Sequence, residues 1–192
     1  MDNRIIYLHG FQSSPDSIKS IELQQYVKAH HAEYKLWIPQ LPLEPDLAIQ
    51  LCINYIDERM ELGENITIIG SSLGGFYAVY LAQKYDLNCV VINPALHPDE
   101  YIERYKDYLE EIITNLPENW LVSYINVIRS FKVKTLTHPK RFLLLTQTGD
   151  ELLDYRIAQA YFSDSYAQID EGGCHNFDGF EKKLPHIFEF LG

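Results

Sequence analysis

Ser72 lies in a sequence whose residue types and spacing are typical of a nucleophilic serine. Residues 68–75 (IIGSSLGG) join an apolar strand-like run, a G-x-S-x-G motif and the start of a helix-like segment. A serine hydroxyl becomes an effective nucleophile when a turn exposes it, a base accepts its proton and nearby amides stabilise the oxyanion. A sharp strand-to-helix turn provides the exposure, and glycines allow the two backbones to approach. We predict Ser72 as the nucleophile, with Gly70 and Gly74 as the elbow glycines.

The alternative interpretation is that Ser72 belongs to an ordinary turn or caps a helix. The motif alone does not separate the two interpretations, because short glycine and serine patterns also occur by chance. Its context does separate them, since a buried-type strand precedes the motif and a helix follows it.

Asp150 is the predicted acid of a catalytic triad. It lies in residues 148–155 (TGDELLDY), directly after a strand-like run, where a carboxylate can reach the carboxyl edge of a sheet. The chain order Ser, Asp, His is also the order expected after a nucleophile elbow. Asp154 is the rival acid, but its position before Tyr155 favours a helix cap.

His175 is the predicted base, on a glycine-rich loop at residues 171–177 (EGGCHNF) that follows the last strand-like run. The rival histidines suit the role less well, because His186 falls inside a helical pattern and His97 and His138 neighbour prolines in loop-like sequence. Cys174 adjoins His175 but is interpreted as a packing residue, since sequence neighbours rarely face each other across a catalytic hydrogen bond.

The oxyanion hole is predicted from two backbone amides. One is the amide of Leu73, which directly follows the nucleophile, and the other is that of Phe11 in the loop after the first strand. Gly10 permits the turn in this loop, and His9 is expected to make structural hydrogen bonds. A plain strand-ending turn is the alternative interpretation of this segment.

Strand-like and helix-like segments alternate along most of the chain. Strand-like runs fall at residues 4–10, 35–38, 65–69, 89–92, 141–146 and 166–169. Helix-like segments fall at 18–30, 45–63, 73–85, 154–162 and 180–191, the last one broken by Pro185. This alternation predicts an α/β fold of three layers, with a mostly parallel sheet of about six strands between helices. We expect one domain over residues 1–192.

Residues 97–137 interrupt this alternation with a helix-rich, aromatic-rich insertion. We expect the insertion to act as a cap over the substrate, with Tyr101, Tyr105, Trp120 and Tyr124 as candidate contact residues. The alternative is that these aromatic side chains form the core of the insertion itself.

Composition and charge disfavour several classes of partner. The net charge is −11, whereas nucleic acids and anionic membranes are bound through clusters of Lys and Arg. Three widely spaced cysteines without a C-x-x-C pair predict a reducing compartment. Apolar runs are too short for a signal-peptide core or a membrane span. We expect a cytoplasmic protein that binds neither nucleic acid nor membrane.

Several short motifs recur in an order that resembles a known family. They are YLHGF at 7–11, SSP at 13–15, PQLP at 39–42, GSSLGG at 70–75, NP at 93–94, QTGDE at 147–151, LDYR at 153–156 and GGxHxFxGFE at 172–181. Together they resemble the small bacterial α/β-hydrolase esterases of the YqiA/YcfP family over essentially the whole chain. The resemblance implies an α/β-hydrolase fold, carboxylesterase activity that extends to acyl-CoA thioesters, and a triad of Ser72, Asp150 and His175.

We therefore expect a serine esterase that hydrolyses small carboxylic esters or thioesters through an acyl-enzyme, without a metal or cofactor. No nucleotide-binding glycine pattern is present, and His30-His31 lacks companion metal ligands. The alternatives are a non-catalytic binding or scaffold protein of the same fold, and an acyltransferase that uses the same triad. An acyl-CoA substrate would need a basic patch, for which the candidates are Arg129, Lys132, Lys134, Lys140 and Arg141.

Overall fold

A parallel sheet runs through the centre of the protein. We describe it from a computed structural model that covers residues 2–113, 117 and 119–192. Within that part of the chain, its six strands are Asn3–Leu8 (β1), Tyr34–Trp37 (β2), Asn65–Ser71 (β3), Asn88–Ile92 (β4), Phe142–Gln147 (β5) and Tyr166–Asp170 (β6). Every pair of neighbouring strands is parallel. The strands predicted from the sequence are thus confirmed.

Helices connect successive strands along the chain, and the last helix follows the last strand. They are Ile18–His30 (α1), Pro45–Glu61 (α2), Leu73–Tyr85 (α3), Pro98–Arg104 (α4), Lys106–Ile112 (α5), Trp120–Ser130 (α6), Tyr155–Tyr161 (α7) and Leu184–Leu191 (α8). The predicted last helical segment is divided next to Pro185, in agreement with the predicted break. A 3₁₀ turn covers Phe180–Lys183, and Pro185 lies in the first turn of α8, where its missing N–H removes no helical hydrogen bond.

Two apolar cores lie on opposite faces of the sheet. Successive residues of a strand point to opposite faces, so Ile6 and Leu8 pack with α2, α3, α6 and α7. Ile5 and Tyr7 pack on the other face, with α1 and α8. Because both faces are covered, the central strands β1, β3, β4 and β5 are mostly apolar and buried rather than alternating with polar residues. The predicted three-layer α/β arrangement is confirmed.

The strand order places the ends of the central strands around one crevice. The order is β2-β1-β3-β4-β5-β6. The second strand thus lies on one side of β1, and the strands from β3 onward are added on the other side. Ligands of open α/β sheets bind outside the carboxyl ends of the strands at such a reversal. The loops that follow β1 and β3 meet at this point.

Helices α4, α5 and α6 occupy the predicted insertion between β4 and β5. On α6, the buried residues Leu121, Tyr124, Ile125 and Ile128 follow helical spacing and join the same core as α2 and α3. Among the residues described, no helix has the length and apolarity needed to cross a bilayer.

Candidate active site

Ser72 occupies a strained turn between β3 and α3. Its backbone has φ 55° and ψ −122°, a combination that costs a side-chain-bearing residue about 1–3 kcal/mol. The Ser72 N–H donates to the carbonyl of Ile92 at 3.0 Å, and its carbonyl accepts from the Ala95 N–H at 3.1 Å. The end of β4 therefore holds this turn in place.

Gly70 and Gly74 allow close approach of the backbones on both sides of the turn. A Cβ at Gly70 would lie 2.3 Å from the Gly74 carbonyl oxygen, and a Cβ at Gly74 would lie 2.1 Å from the Leu8 carbonyl oxygen. Either side chain would push α3 away from the sheet. These positions therefore have the tight geometry that elbow glycines require.

His175 joins Ser72 to Asp150. His175 Nε2 lies 2.9 Å from Ser72 Oγ, and His175 Nδ1 lies 2.8 Å from Asp150 Oδ2. A carboxylate only accepts hydrogen bonds, so Nδ1 carries the proton and Nε2 is free to accept one from the Ser72 hydroxyl. The three side chains predicted from the sequence thus form one continuous chain of hydrogen bonds.

Asp150 is held by the backbone that follows it. Its Oδ1 accepts hydrogen bonds from the N–H groups of Leu152 and Leu153, each at 2.9 Å. The side chain is 1% exposed, so the carboxylate faces His175 in a setting with little water. Asp154, the rival acid, instead caps α7 through the Arg156 N–H.

Buried amide side chains position the His175 loop, and sequence reasoning assigned them no role. Asn93 Nδ2 donates to the carbonyls of Cys174 and His175 at 3.0 and 3.1 Å, and its Oδ1 accepts from the Gln147 N–H. The Gln147 side chain bonds the loop again through Cys174 N–H and the Asp178 backbone. Asn93 directly follows β4 and Gln147 ends β5, and both lie in motifs of the family resemblance, which are the sequence signals that could have pointed to them.

Glu151 also contacts this loop. Its Oε2 accepts the backbone N–H of His175 at 2.9 Å. The residue next to the acid thus holds the backbone of the base, while Asp150 holds its ring.

The amides of Leu73 and Phe11 lie beside Ser72. Leu73 is the first residue of α3, where the N–H has no partner within the helix. Neither amide donates to another group in the described part of the chain. A Cβ at Gly10 would lie 3.2 Å from Ser72 Cβ, so the Phe11 loop packs directly against the serine. The assignment of these two amides to an oxyanion hole stays a prediction.

His9 is buried beneath this loop and makes the structural bonds expected of it. Its Nε2 accepts the N–H of Leu41 at 3.1 Å, and its Nδ1 donates to the Gly10 carbonyl at 2.9 Å. Burial lowers the pKa of His9, which favours this neutral, hydrogen-bonded form.

The other candidate nucleophile, Cys174, and the three other candidate bases have partners outside the triad. His97, His138 and His186 pair with Glu100, Asp86 and Glu189. The Cys174 thiol donates to an Asp178 carboxylate oxygen at 3.2 Å, and this hydrogen bond raises the pKa of the thiol. A protonated thiol is a poor nucleophile, in agreement with the interpretation that Cys174 is not reactive.

A cavity of about 480 Å³ opens at the triad. The insertion forms its apolar wall, to which the predicted residues Tyr101, Trp120 and Tyr124 contribute. Tyr105 is not among the described residues that line the cavity; it is 42% exposed, and its ring packs on Tyr101 at a centroid separation of 4.5 Å. The opposite wall comes from the start of α1 and from the loop that follows His175.

Among the described residues, one cluster of possible metal ligands lies outside the cavity. Ligand atoms of His97, Asp99 and Glu100 come within 4.8 Å of one another. Arg129 and Lys132 already place cations 3.2 and 3.6 Å from the Asp99 carboxylate, so a metal ion would meet two positive charges there. These ion pairs with Asp99 also engage Arg129 and Lys132, which belong to the predicted basic patch. None of the five patch residues is among the described residues that line the cavity.

A comparison with protein families identifies this chain's relatives. The model of the uncharacterised protein family UPF0227 matches residues 4–192. The chain therefore belongs to this family. The UPF0227 protein YcfP of Salmonella paratyphi B is 29% identical over 194 residues, which cover 98% of this chain and 99% of YcfP. The family resemblance noted in the sequence motifs is confirmed.

Solved structures show the same fold at low sequence identity. A putative hydrolase from Agrobacterium vitis S4 has a TM-score of 0.79 at 16% identity, over 100% of this chain and 88% of that one. Est1E from Butyrivibrio proteoclasticus, solved with ferulic acid bound, has a TM-score of 0.77 at 18% identity, over 98% and 88%. This UPF0227 protein thus has the α/β-hydrolase fold that the sequence predicted.

Proposed function

We propose that this protein is a serine esterase that hydrolyses small carboxylic esters. The observation that carries the proposal is the unbroken chain of hydrogen bonds from Ser72 through His175 to Asp150. The α/β-hydrolase fold adds support, since solved proteins that share it include a putative hydrolase and Est1E.

In the first half of the reaction, Ser72 Oγ attacks the carbonyl carbon of the ester. His175 Nε2 takes the hydroxyl proton, and Asp150 stabilises the imidazolium through Nδ1. The amides of Leu73 and Phe11 donate to the negative oxygen that develops on the former carbonyl. When the tetrahedral intermediate collapses, the bond to the alcohol breaks, and His175 gives its proton to the leaving oxygen. The acyl group remains on Ser72.

In the second half, water replaces the alcohol. His175 removes a proton from the water, whose oxygen attacks the acyl carbon and forms a second tetrahedral intermediate. The bond to Ser72 Oγ then breaks, His175 returns the proton to that oxygen, and the carboxylic acid leaves. One water is consumed and the serine is regenerated.

We propose that residues 97–137 act as the cap of this domain and bind the acyl group. Tyr101, Trp120 and Tyr124 line the cavity together with aliphatic side chains of the insertion. The Phe11 ring packs edge-on against Tyr124, with ring centroids 6.4 Å apart, so the predicted oxyanion loop touches the insertion. An acyl chain attached to a carbon beside that loop would extend under these apolar side chains.

A Ser72→Ala variant tests the proposal. We expect kcat for hydrolysis of a short-chain ester such as propyl butyrate to fall by about 10⁴-fold or more, because the nucleophile is removed. A fluorophosphonate probe should label the parent protein and not this variant. The matched control is Ser163→Ala, at an exposed position, which should keep full activity and labelling.

Near-parental hydrolysis by Ser72→Ala would contradict the assignment of the nucleophile. Folded parent protein that neither hydrolyses esters nor reacts with the probe would favour the scaffold alternative.

A further inference from the structure

We propose that the cavity wall formed by α1 and the loop after His175 binds the alcohol part of the substrate, and that this alcohol is an uncharged polyhydroxylated group such as glycerol. The inference rests on the proposed esterase function. It adds a binding site for the leaving group and names the class of ester that is cleaved.

The position of this wall suits a leaving group. The departing alcohol oxygen must lie within reach of His175 Nε2 to receive its proton. Asn176 and Asp178, on the same loop as His175, line this wall, and Lys19 Nζ donates to the Asn176 carbonyl at 2.8 Å. The wall therefore continues directly from the base into α1.

The two walls of the cavity belong to opposite layers of the fold. Helix α1 packs on the face of the sheet that carries Ile5 and Tyr7, whereas α6 of the insertion packs on the other face. A substrate carbonyl at Ser72 would thus place its acyl and alcohol parts toward different layers. The acyl part is assigned to the apolar insertion, which leaves the α1 wall for the alcohol.

Lys19 and Glu22 give the α1 wall a donor and an acceptor. Both side chains line the cavity one helical turn apart. Lys19 has no carboxylate within 4.0 Å among the residues described, so its remaining N–H donors are available to a ligand. A carboxylate that accepts and an ammonium that donates can together bind neighbouring hydroxyl groups.

The electrostatics of this wall favour an uncharged ligand. Burial lowers the pKa of Lys19, while burial and repulsion from Glu181 raise the pKa of Glu22. Burial contributes to both shifts, and burial penalises a charged group of either sign. An anionic alcohol would also meet Glu22, and a cationic one would meet Lys19.

Hydroxyl groups complete the polar lining. Ser13 and Ser17 line the cavity on the same side. Ser17 Oγ is buried and has no hydrogen-bond partner of good geometry among the described residues. The Tyr7 hydroxyl lies beside it. A ligand hydroxyl that formed a hydrogen bond with this oxygen would satisfy a buried polar atom that otherwise lacks a partner.

A pair of matched esters tests the inference. Glycerol 1-monobutyrate and propyl butyrate share the acid and the number of alcohol carbons, and differ only in the hydroxyl groups. We expect kcat/KM for the glycerol ester to exceed that for the propyl ester by at least about tenfold, the effect of one or two hydrogen bonds to charged groups.

Variants of Lys19 and Glu22 test whether the preference for the glycerol ester arises at this wall. Glu22→Gln and Lys19→Met should each lower the ratio of the two kcat/KM values by at least about threefold, and the double variant should bring it close to one. Lys28→Met is the control, because Lys28 is exposed near the other end of α1, and it should leave the ratio unchanged.

Several results would overturn the inference. One is a parent protein that hydrolyses propyl butyrate and whose two kcat/KM values lie within about twofold of each other. This result would rule out the alcohol site and leave the esterase function intact. Another is an unchanged ratio in Lys19→Met when both rates fall together, because Lys19 would then act only by holding the Asn176 loop. Faster turnover of butyryl-CoA, lowered by Lys19→Met and raised by Glu22→Gln, would indicate that this wall binds an anionic leaving group, here the CoA thiol, instead. Failure to hydrolyse either ester would remove the esterase function and this inference together.

Discussion

Asp150–His175 and Asp86–His138 are two aspartate–histidine pairs with similar hydrogen bonds and different surroundings. The oxygen-to-Nδ1 distance is 2.8 Å in the first pair and 2.6 Å in the second. The Asp150 and His175 side chains are 1% and 15% exposed, whereas those of Asp86 and His138 are 51% and 59% exposed. Distance alone therefore does not distinguish the proposed catalytic pair from a surface ion pair.

The pairs differ in what else holds them. Asp150 accepts two backbone N–H groups, and His175 Nε2 faces Ser72. Asp86 is shared with Arg141 at 2.9 Å on the surface, where water competes for each contact. A carboxylate anchored by the backbone keeps one orientation for the imidazole, and that orientation is what general-base catalysis requires.

The largest expected difference between the pairs is catalytic. Asp150→Asn should lower kcat for ester hydrolysis by about 10³–10⁴-fold, because the amide no longer stabilises the imidazolium or selects the tautomer with the proton on Nδ1. Asp86→Asn should change kcat by less than about twofold. Steady-state kinetics on propyl butyrate provide the measurement, and equal losses in both variants would show that burial does not separate the pairs.

Asn93 tests how far the catalytic pair depends on its anchors. Asn93→Ala frees the carbonyls of Cys174 and His175, so we expect kcat/KM to fall by about 10–100-fold. The free energy of unfolding should fall by about 1–3 kcal/mol, because buried groups lose their partners. Urea titration and kinetics on the folded protein measure both effects.

The control for this variant is Asn65→Ala, which removes an amide that bonds Asn3 on the surface and should alter neither quantity appreciably. A variant of Asn93 that is destabilised but has parental kcat/KM would argue that the loop needs no anchor.

The smallest expected effect concerns the surface pair and pH. The hydrogen bond from His138 holds the pKa of Asp86 below its ordinary value. A carboxyl with a lowered pKa in the folded state stabilises the protein above its unfolded pKa of about 3.9, and this contribution is lost as pH falls toward the lowered value.

Asp86→Asn should therefore lower Tm by no more than about 2 °C at neutral pH. The difference from the parent protein should shrink as the pH is brought below about 3.9. Thermal melts at several pH values measure it, and a difference that grows on acidification would contradict the assigned sign.

The sequence was sufficient to predict what depends on local patterns. Apolar runs and turn residues located the strands, and the order of Ser72, Asp150 and His175 followed from motifs at three strand ends. The break at Pro185 was also predicted, although a proline that ends one segment and a proline that begins the next have the same local appearance. The orientation of Tyr105, in contrast, depended on how α4 and α5 pack, which no periodicity specifies.

Contacts between distant segments were beyond sequence reasoning. The Asn93 amide meets carbonyls 81 and 82 positions away, and nothing near Asn93 in the chain indicates that partner. Lys19 likewise resembles any helical surface lysine until the fold brings Asn176 to it. Side chains that hold a site together across the sheet are thus found only in three dimensions.

The hydrogen bond between Ser72 and His175 joins residues 103 positions apart. During synthesis the serine leaves the ribosome well before its base, and the loop that carries the base needs β4 and β5 already in place to bind Asn93 and Gln147. Under the proposed mechanism, a nascent or misfolded chain therefore carries an inert hydroxyl rather than an indiscriminate nucleophile. The proposed reactivity of Ser72 depends on the completed fold.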